Sequence, residues 1–196
     1  MIESMLDAAE LAALNKLIDV QQLPDPRHEG AKTSFGNYLN WGQPFCDLLD
    51  HPKLMPYLKV ILGDGFRLDH YYGIYLEAGT GKLRLHGGNT PYDPPEYYHF
   101  RNGQMYNGLV VVGWNLTDTG PGIGGFCCVP GSHKSNYPLP KEIADAHYEA
   151  DCVVTPAGKA GSVVIFTEAL THGTTPWQAA HPRRSLLFKY SPGQQC

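Results

Sequence analysis

Charge is scarce in this 196-residue chain: 17% of residues are charged, the net charge is −4, and no basic cluster appears. A surface that tracks phosphates needs such a cluster, so nucleic-acid polymers are excluded as partners. Long hydrophobic runs are missing too, and no basic segment followed by an apolar block opens the chain. The expectation is a cytoplasmic protein with no membrane span. Cysteine is limited to Cys46, Cys127, Cys128, Cys152 and Cys196, an odd number without CxxC spacing. That pattern disfavours a disulfide framework and a structural zinc site, and adjacent Cys127 and Cys128 read as buried thiols.

Glycine, proline and tyrosine are abundant, at 22, 16 and 12 residues. They favour many short strands joined by turns over a helical bundle, and the length suits one domain. Asp7 to about Gln21 reads as an amphipathic helix, with Asp7 and Glu10 forming a capping box and Leu11, Leu14, Leu17 and Ile18 on one face. Leu23 to Gly42 reads as a loop rich in Pro and Gly, either a lid or a plain connection. Phe45 to Leu62 reads as helix in two pieces, split by Pro52 and Pro56. Strands are expected at Phe66–Glu77, Lys82–Gly88, Gly108–Leu116, Gly125–Val129, Ser162–Phe166 and from Arg183 to Tyr190. Asn89 to Asn107 reads as a long loop, and Tyr137 to Asp151 as partly helical. Two helical segments followed by short strands suggest an antiparallel sandwich or barrel with helices outside.

The chemistry concentrates in Lys82-Leu83-Arg84-Leu85-His86-Gly87-Gly88, in His172-Gly173-Thr174, and in Arg183, eleven residues after His172. On strand alternation Lys82, Arg84 and His86 share one face. Lys82 and Arg84 on that face suggest an anionic group on a small-molecule substrate. Two histidines at strand ends, with an arginine on a neighbouring strand, suit a metal site beside a carboxylate cosubstrate. His70, in an aromatic strand, is a further pocket-lining candidate. His133 reads as a brace for its turn.

These features resemble the phytanoyl-CoA dioxygenase family of Fe(II)/2-oxoglutarate-dependent oxygenases. The resemblance rests on the N-terminal helix, Val112-Gly113-Trp114-Asn115-Leu116, and the Gly124–Lys134 segment with its Pro-Gly-Ser-His-Lys turn. It also rests on His172-Gly173-Thr174 followed by Arg183. It implies a mainly β chain with flanking helices and a double-stranded β-helix (jelly-roll) core. The single domain would have helices over about 5–62 and the jelly roll over about 66–192. It implies Fe(II), 2-oxoglutarate and O2 as cofactors, acting on an aliphatic C–H, with secondary metabolism as one setting. His86 and His172 would be the iron ligands. Arg183, Thr174 and Trp114 would bind the cosubstrate.

One departure stands out. The family's proximal motif is His-x-Asp or His-x-Glu, and this chain reads His86-Gly87-Gly88. Three readings follow. In the favoured one, chloride takes the position beside Gly88, as in the related halogenases that carry Gly or Ala there. In the second, Asp93, Glu96 or Glu168 supplies the carboxylate and the enzyme is a hydroxylase. In the third, the protein binds a small molecule without turnover.

Overall fold

The computed structural model describes residues 1–28, 33–88 and 91–194. Asn89 and Cys196, and Gly30 within the loop expected over 23–42, lie outside the described residues. Helix α1 (Ala8–Asp19) starts where the capping box places it. Asp7 Oδ1 accepts from the backbone N–H groups of Ala9 and Glu10 at 2.8 Å, and Glu10 Oε2 accepts from Asp7 N–H at 2.8 Å. Two orphan donors of the first turn are thereby satisfied. Helix α2 (Gln43–Cys46) and helix α3 (Met55–Leu62) follow. Pro56 sits in the first turn of α3, where a missing N–H costs nothing, so it opens a helix where the sequence suggested a break.

Among the described residues, ten strands build two antiparallel sheets and a hairpin. The larger sheet orders β1 (Ser34–Phe35), β2 (Arg67–Leu76), β10 (Arg183–Ser191), β6 (Val110–Asn115) and β8 (Val163–Thr167). The smaller orders β3 (Leu83–His86), β9 (His172–Thr175) and β7 (Gly125–Cys128). Side-chain alternation sends the two faces of the larger sheet to different places. Val110, Val112, Trp114, Leu186, Phe188 and Tyr190 pack against Leu14, Ile18, Leu58 and other helical residues. Val111, Val164, Phe166 and Leu187 face Phe126 of the smaller sheet. The chain is a mainly β jelly roll with helices on one outer face, as expected.

Two stretches read as loops carry structure. Within 23–42, β1 pairs with β2, and a 3₁₀ turn (Tyr38–Trp41) buries Tyr38 completely among Phe35, Tyr71 and Phe188. The described part from Ser34 to Trp41 thus closes the core. Within 89–107, β4 (Tyr98–Arg101) and β5 (Gln104–Asn107) form a hairpin. Asn102 and Gly103 take φ of 50° and 77° at its tip. Asn-Gly is the dipeptide best suited to positive φ at both turn positions, so the signal was present in the sequence. The neighbouring prolines masked it.

Candidate metal centre

Strands β3 and β9 run antiparallel with His86 directly opposite His172, which brings the ring centroids to 4.2 Å. Each ring is oriented from behind. His86 Nδ1–H donates to the Arg84 carbonyl and His172 Nδ1–H to the Leu170 carbonyl, both at 2.8 Å. Such bonds fix the tautomer that leaves Nε2 free for a metal. Burial lowers the His172 pKa to about 4, so the ring is neutral at neutral pH, as a ligand must be.

The third member comes from the turn between β8 and β9. Glu168 lies four residues before His172 and is buried, with Oε2 at 3.8 Å from His172 Nε2. Among the described residues, His86, Glu168 and His172 form a group whose ligand atoms all lie within 4.8 Å of one another. The turn is held by backbone bonds from Glu168 N–H to the Leu109 carbonyl and from Gly88 N–H to the Glu168 carbonyl, both 2.9 Å. A buried carboxylate needs a partner, and Lys189 of β10 provides one: its Nζ lies 2.6 Å from Glu168 Oε1. Asp93 and Glu96, the other candidate acids, stand outside this group.

Gly87 and Gly88 are required by this packing. Their φ values are 96° and 64°, and a Cβ on Gly88 would lie 2.7 Å from the Ala169 carbonyl oxygen. A Cβ on Gly87 would meet the carbonyls of Glu168 and Leu170 at 2.6 Å. The direction in which an acid at position 88 would project is filled by backbone.

Arg183 lies on the cavity face of β10 and is almost wholly buried. Its Nε–H donates to Ser185 Oγ at 3.2 Å, whereas Nη1 has no hydrogen-bond partner. Desolvation lowers its pKa to about 10. A buried guanidinium with an unpaired nitrogen has the geometry to take a carboxylate. Thr174, opposite Phe126 and two residues from His172, shares the cavity face of β9. Thr171 N–H donates to Ser132 Oγ at 2.8 Å, so the Pro130–Lys134 turn steadies the residue before His172. His133 sits edge-on to Tyr98 at 4.6 Å, a packing role in that turn.

The structure does not bring every predicted residue to the site. Trp114 pairs with Leu186 on β10, faces the helices and packs against His51 at 5.3 Å, on the opposite side of the sheet from Arg183. The strand holding it is in place, but alternation turns the indole away. His70 is half exposed and bound to Asp69 at 2.6 Å. Lys82 and Arg84 are also displaced. The β3–β9 register shifts between Leu83 and His86, so Leu83, opposite Thr174, takes the face on which His86 lies. Lys82 and Arg84 instead line a separate cavity of about 310 Å³ with His147 and Asp145. Simple alternation missed the bulge. Lys189 carried a legible signal that went unused, a lysine in step with Arg183, Ser185 and Leu187 on an inward face.

No curated protein matches the sequence. Solved structures do. HygX from Streptomyces hygroscopicus, crystallised with nickel, 2-oxoglutarate and hygromycin B, is 24% identical, with a TM-score of 0.84 over 98% of this chain and 82% of that one. AviO1 from Streptomyces viridochromogenes Tue57 is 18% identical, with a TM-score of 0.70 over 98% and 88%. EctD from S. alaskensis is 20% identical, with a TM-score of 0.72 over 97% and 71%. At these identities the likeness establishes the jelly-roll fold. The family model for phytanoyl-CoA dioxygenase (PhyH) matches residues 1–185, and with that match the chain belongs to the phytanoyl-CoA dioxygenase family, a family of dioxygenase-superfamily enzymes.

Proposed function

We propose that this protein is an Fe(II)/2-oxoglutarate-dependent oxygenase that hydroxylates an aliphatic C–H of a small molecule, with its iron carboxylate supplied by Glu168. The observation that carries this reading is the convergence of His86, His172 and Glu168 within 4.8 Å. Two histidines and one carboxylate on one face, with other positions open, suit non-haem Fe(II). When bound, iron and 2-oxoglutarate supply the O2-dependent oxidation. The chain's own residues orient and shield that chemistry. His86 and His172 offer Nε2 atoms pre-aimed by carbonyl bonds, and Lys189 holds one oxygen of Glu168 so that the other faces the histidines. Arg183 would receive the far carboxylate of 2-oxoglutarate through its unpaired Nη1, with Thr174 on the cavity face of β9 as a further hydroxyl donor. Phe126 and Phe166 pack against the His172 ring and keep water from its far side.

Crystals of HygX with nickel, 2-oxoglutarate and hygromycin B support a small-molecule substrate for this fold. The chloride reading finds no support in the geometry. Glu168 stands within reach of both histidines as a carboxylate from elsewhere in the chain, which favours the hydroxylase reading. The anionic-substrate expectation loses its basis as well, because Lys82 and Arg84 leave the His86 face.

The deciding experiment is an anaerobic titration of the Fe(II)-loaded protein with 2-oxoglutarate, following the visible charge-transfer band with and without chloride. The expected result is a band indifferent to chloride and lost in Glu168→Ala. A band that tightens with chloride and persists in Glu168→Ala would overturn the assignment.

A further inference from the structure

Two cavities meet at Gly88, beside the candidate metal centre, and they differ in chemistry. One, of about 190 Å³, is lined by Glu96, Tyr92, Tyr97, Tyr98 and His133. The other, of about 330 Å³, is walled by Val129, Pro130, Pro138, Leu139, Pro140 and Ile143. Ser135 borders both, so they form adjoining lobes of one trough. Glu96 is the acid lining the polar lobe, and it is partly buried. Its nearest buried cation, Lys189, is already committed to Glu168 at 2.6 Å. Lys134 also lines this lobe but is exposed to solvent, where a lysine ammonium stays hydrated.

We propose that the trough binds a small molecule with a primary ammonium group and an apolar body, the ammonium held by Glu96 and the body lying on the proline-lined wall. The inference rests on the oxygenase reading only for what happens to the molecule next. The charge assignment follows from the lobe itself. Among the described residues this half-buried carboxylate, lined by phenol rings, forms no ion pair, and an ammonium would satisfy both the charge and the ring faces. An ammonium seated there would place the adjoining carbons at the Gly88 corner, next to His86.

Three six-carbon probes that differ only in the head group, n-hexylamine, hexanoate and 1-hexanol, test this on the metal-free full chain. Saturation-transfer NMR reads their binding, which needs neither iron nor turnover, so its outcome is separate from that of the charge-transfer titration. Hexylamine should bind at least about ten-fold more tightly than hexanoate or hexanol, the difference expected of a charge-assisted hydrogen bond. Glu96→Gln should remove that preference, and Lys134→Ala should leave it intact. An Ile143→Ala variant should weaken all three probes alike, which keeps the apolar lobe testable if Glu96→Gln folds poorly. Hexanoate binding as tightly as hexylamine would overturn the proposal. So would a hexylamine preference that survives in Glu96→Gln.

Discussion

The ion pair between Lys189 and Glu168 is the residue on which the proposed site turns. Removing the lysine leaves a buried carboxylate unpaired, which typically costs about 3–5 kcal/mol. Lys189→Met should therefore lower the melting temperature of the metal-free protein markedly. Its affinity for Fe(II) should fall by about ten- to hundred-fold, the usual cost of losing an outer partner. Lys189→Arg should recover most of both losses. Calorimetric melting and metal titration by isothermal calorimetry check the pair, and an unchanged metal affinity in Lys189→Met would remove the lysine from the site. Glu96 makes a second prediction, with the opposite charge logic. Its pKa is raised in the fold, so between about 4.5 and about 7 the folded chain holds a proton that the unfolded chain has released. Its contribution to stability is thus present at low pH and lost as pH rises through about 7. The groups around it are Glu168, Asp93 and Lys189, with His99, His133 and Lys134 on the lobe wall. Hexylamine affinity should climb as pH rises through about 7, where the folded carboxylate forms, and the climb should vanish in Glu96→Gln.

Among elements, the interlock between the Gly87-Gly88 corner and the 168–170 turn decides what can be substituted. Gly88→Asp would restore the family's motif on paper. Here it meets the Ala169 carbonyl at 2.7 Å, so it should destabilise the fold by about 1–3 kcal/mol and should not raise metal affinity. Differential scanning calorimetry with a metal titration reads both. A stable Gly88→Asp variant with tighter metal binding would show that the turn yields. How much of this the sequence disclosed depends on the element. The α1 cap, the His86 and His172 strands and Arg183 were legible because each is a local pattern of two to five residues. Glu168 was legible as one acid among three, since only the fold sets a turn residue beside strands far away in sequence. The hairpin at Asn102-Gly103 was missed among prolines. The faces of Lys82 and Arg84 were misjudged because a bulge leaves no mark in a pattern of alternation. Trp114 marked the right strand, and its neighbours Val111 and Gly113 hold the inward face. Buried Cys127, its thiol pushed up to about 12 by burial and by Cys128, bears out the reading of inert core thiols.

At the scale of the whole molecule, stability and function pull against each other at Arg183. An entirely buried guanidinium with an idle nitrogen costs folding free energy until a carboxylate arrives. Arg183→Met should therefore melt at or above the wild-type temperature without ligands. The wild-type protein should gain about 2.7 kcal/mol from 2-oxoglutarate at a hundred times its dissociation constant, a rise of about 5–10 °C. The methionine variant should gain almost nothing. Thermal melts of the metal-loaded proteins, with and without 2-oxoglutarate, give the comparison. An equal rise in both would place the cosubstrate elsewhere.

On the proposed Glu168 assignment, the acid moves from β3 to the 168–172 turn, and this changes how the donors are tied together. In a His-x-Asp site, two donors ride on one strand and the distal histidine closes the set from another. Here two donors ride on a five-residue arc, and β3 contributes a lone imidazole. Two of the three proposed donors would then move with one short segment: a displacement of the 168–170 turn shifts Glu168 and His172 together, whereas His86 follows β3.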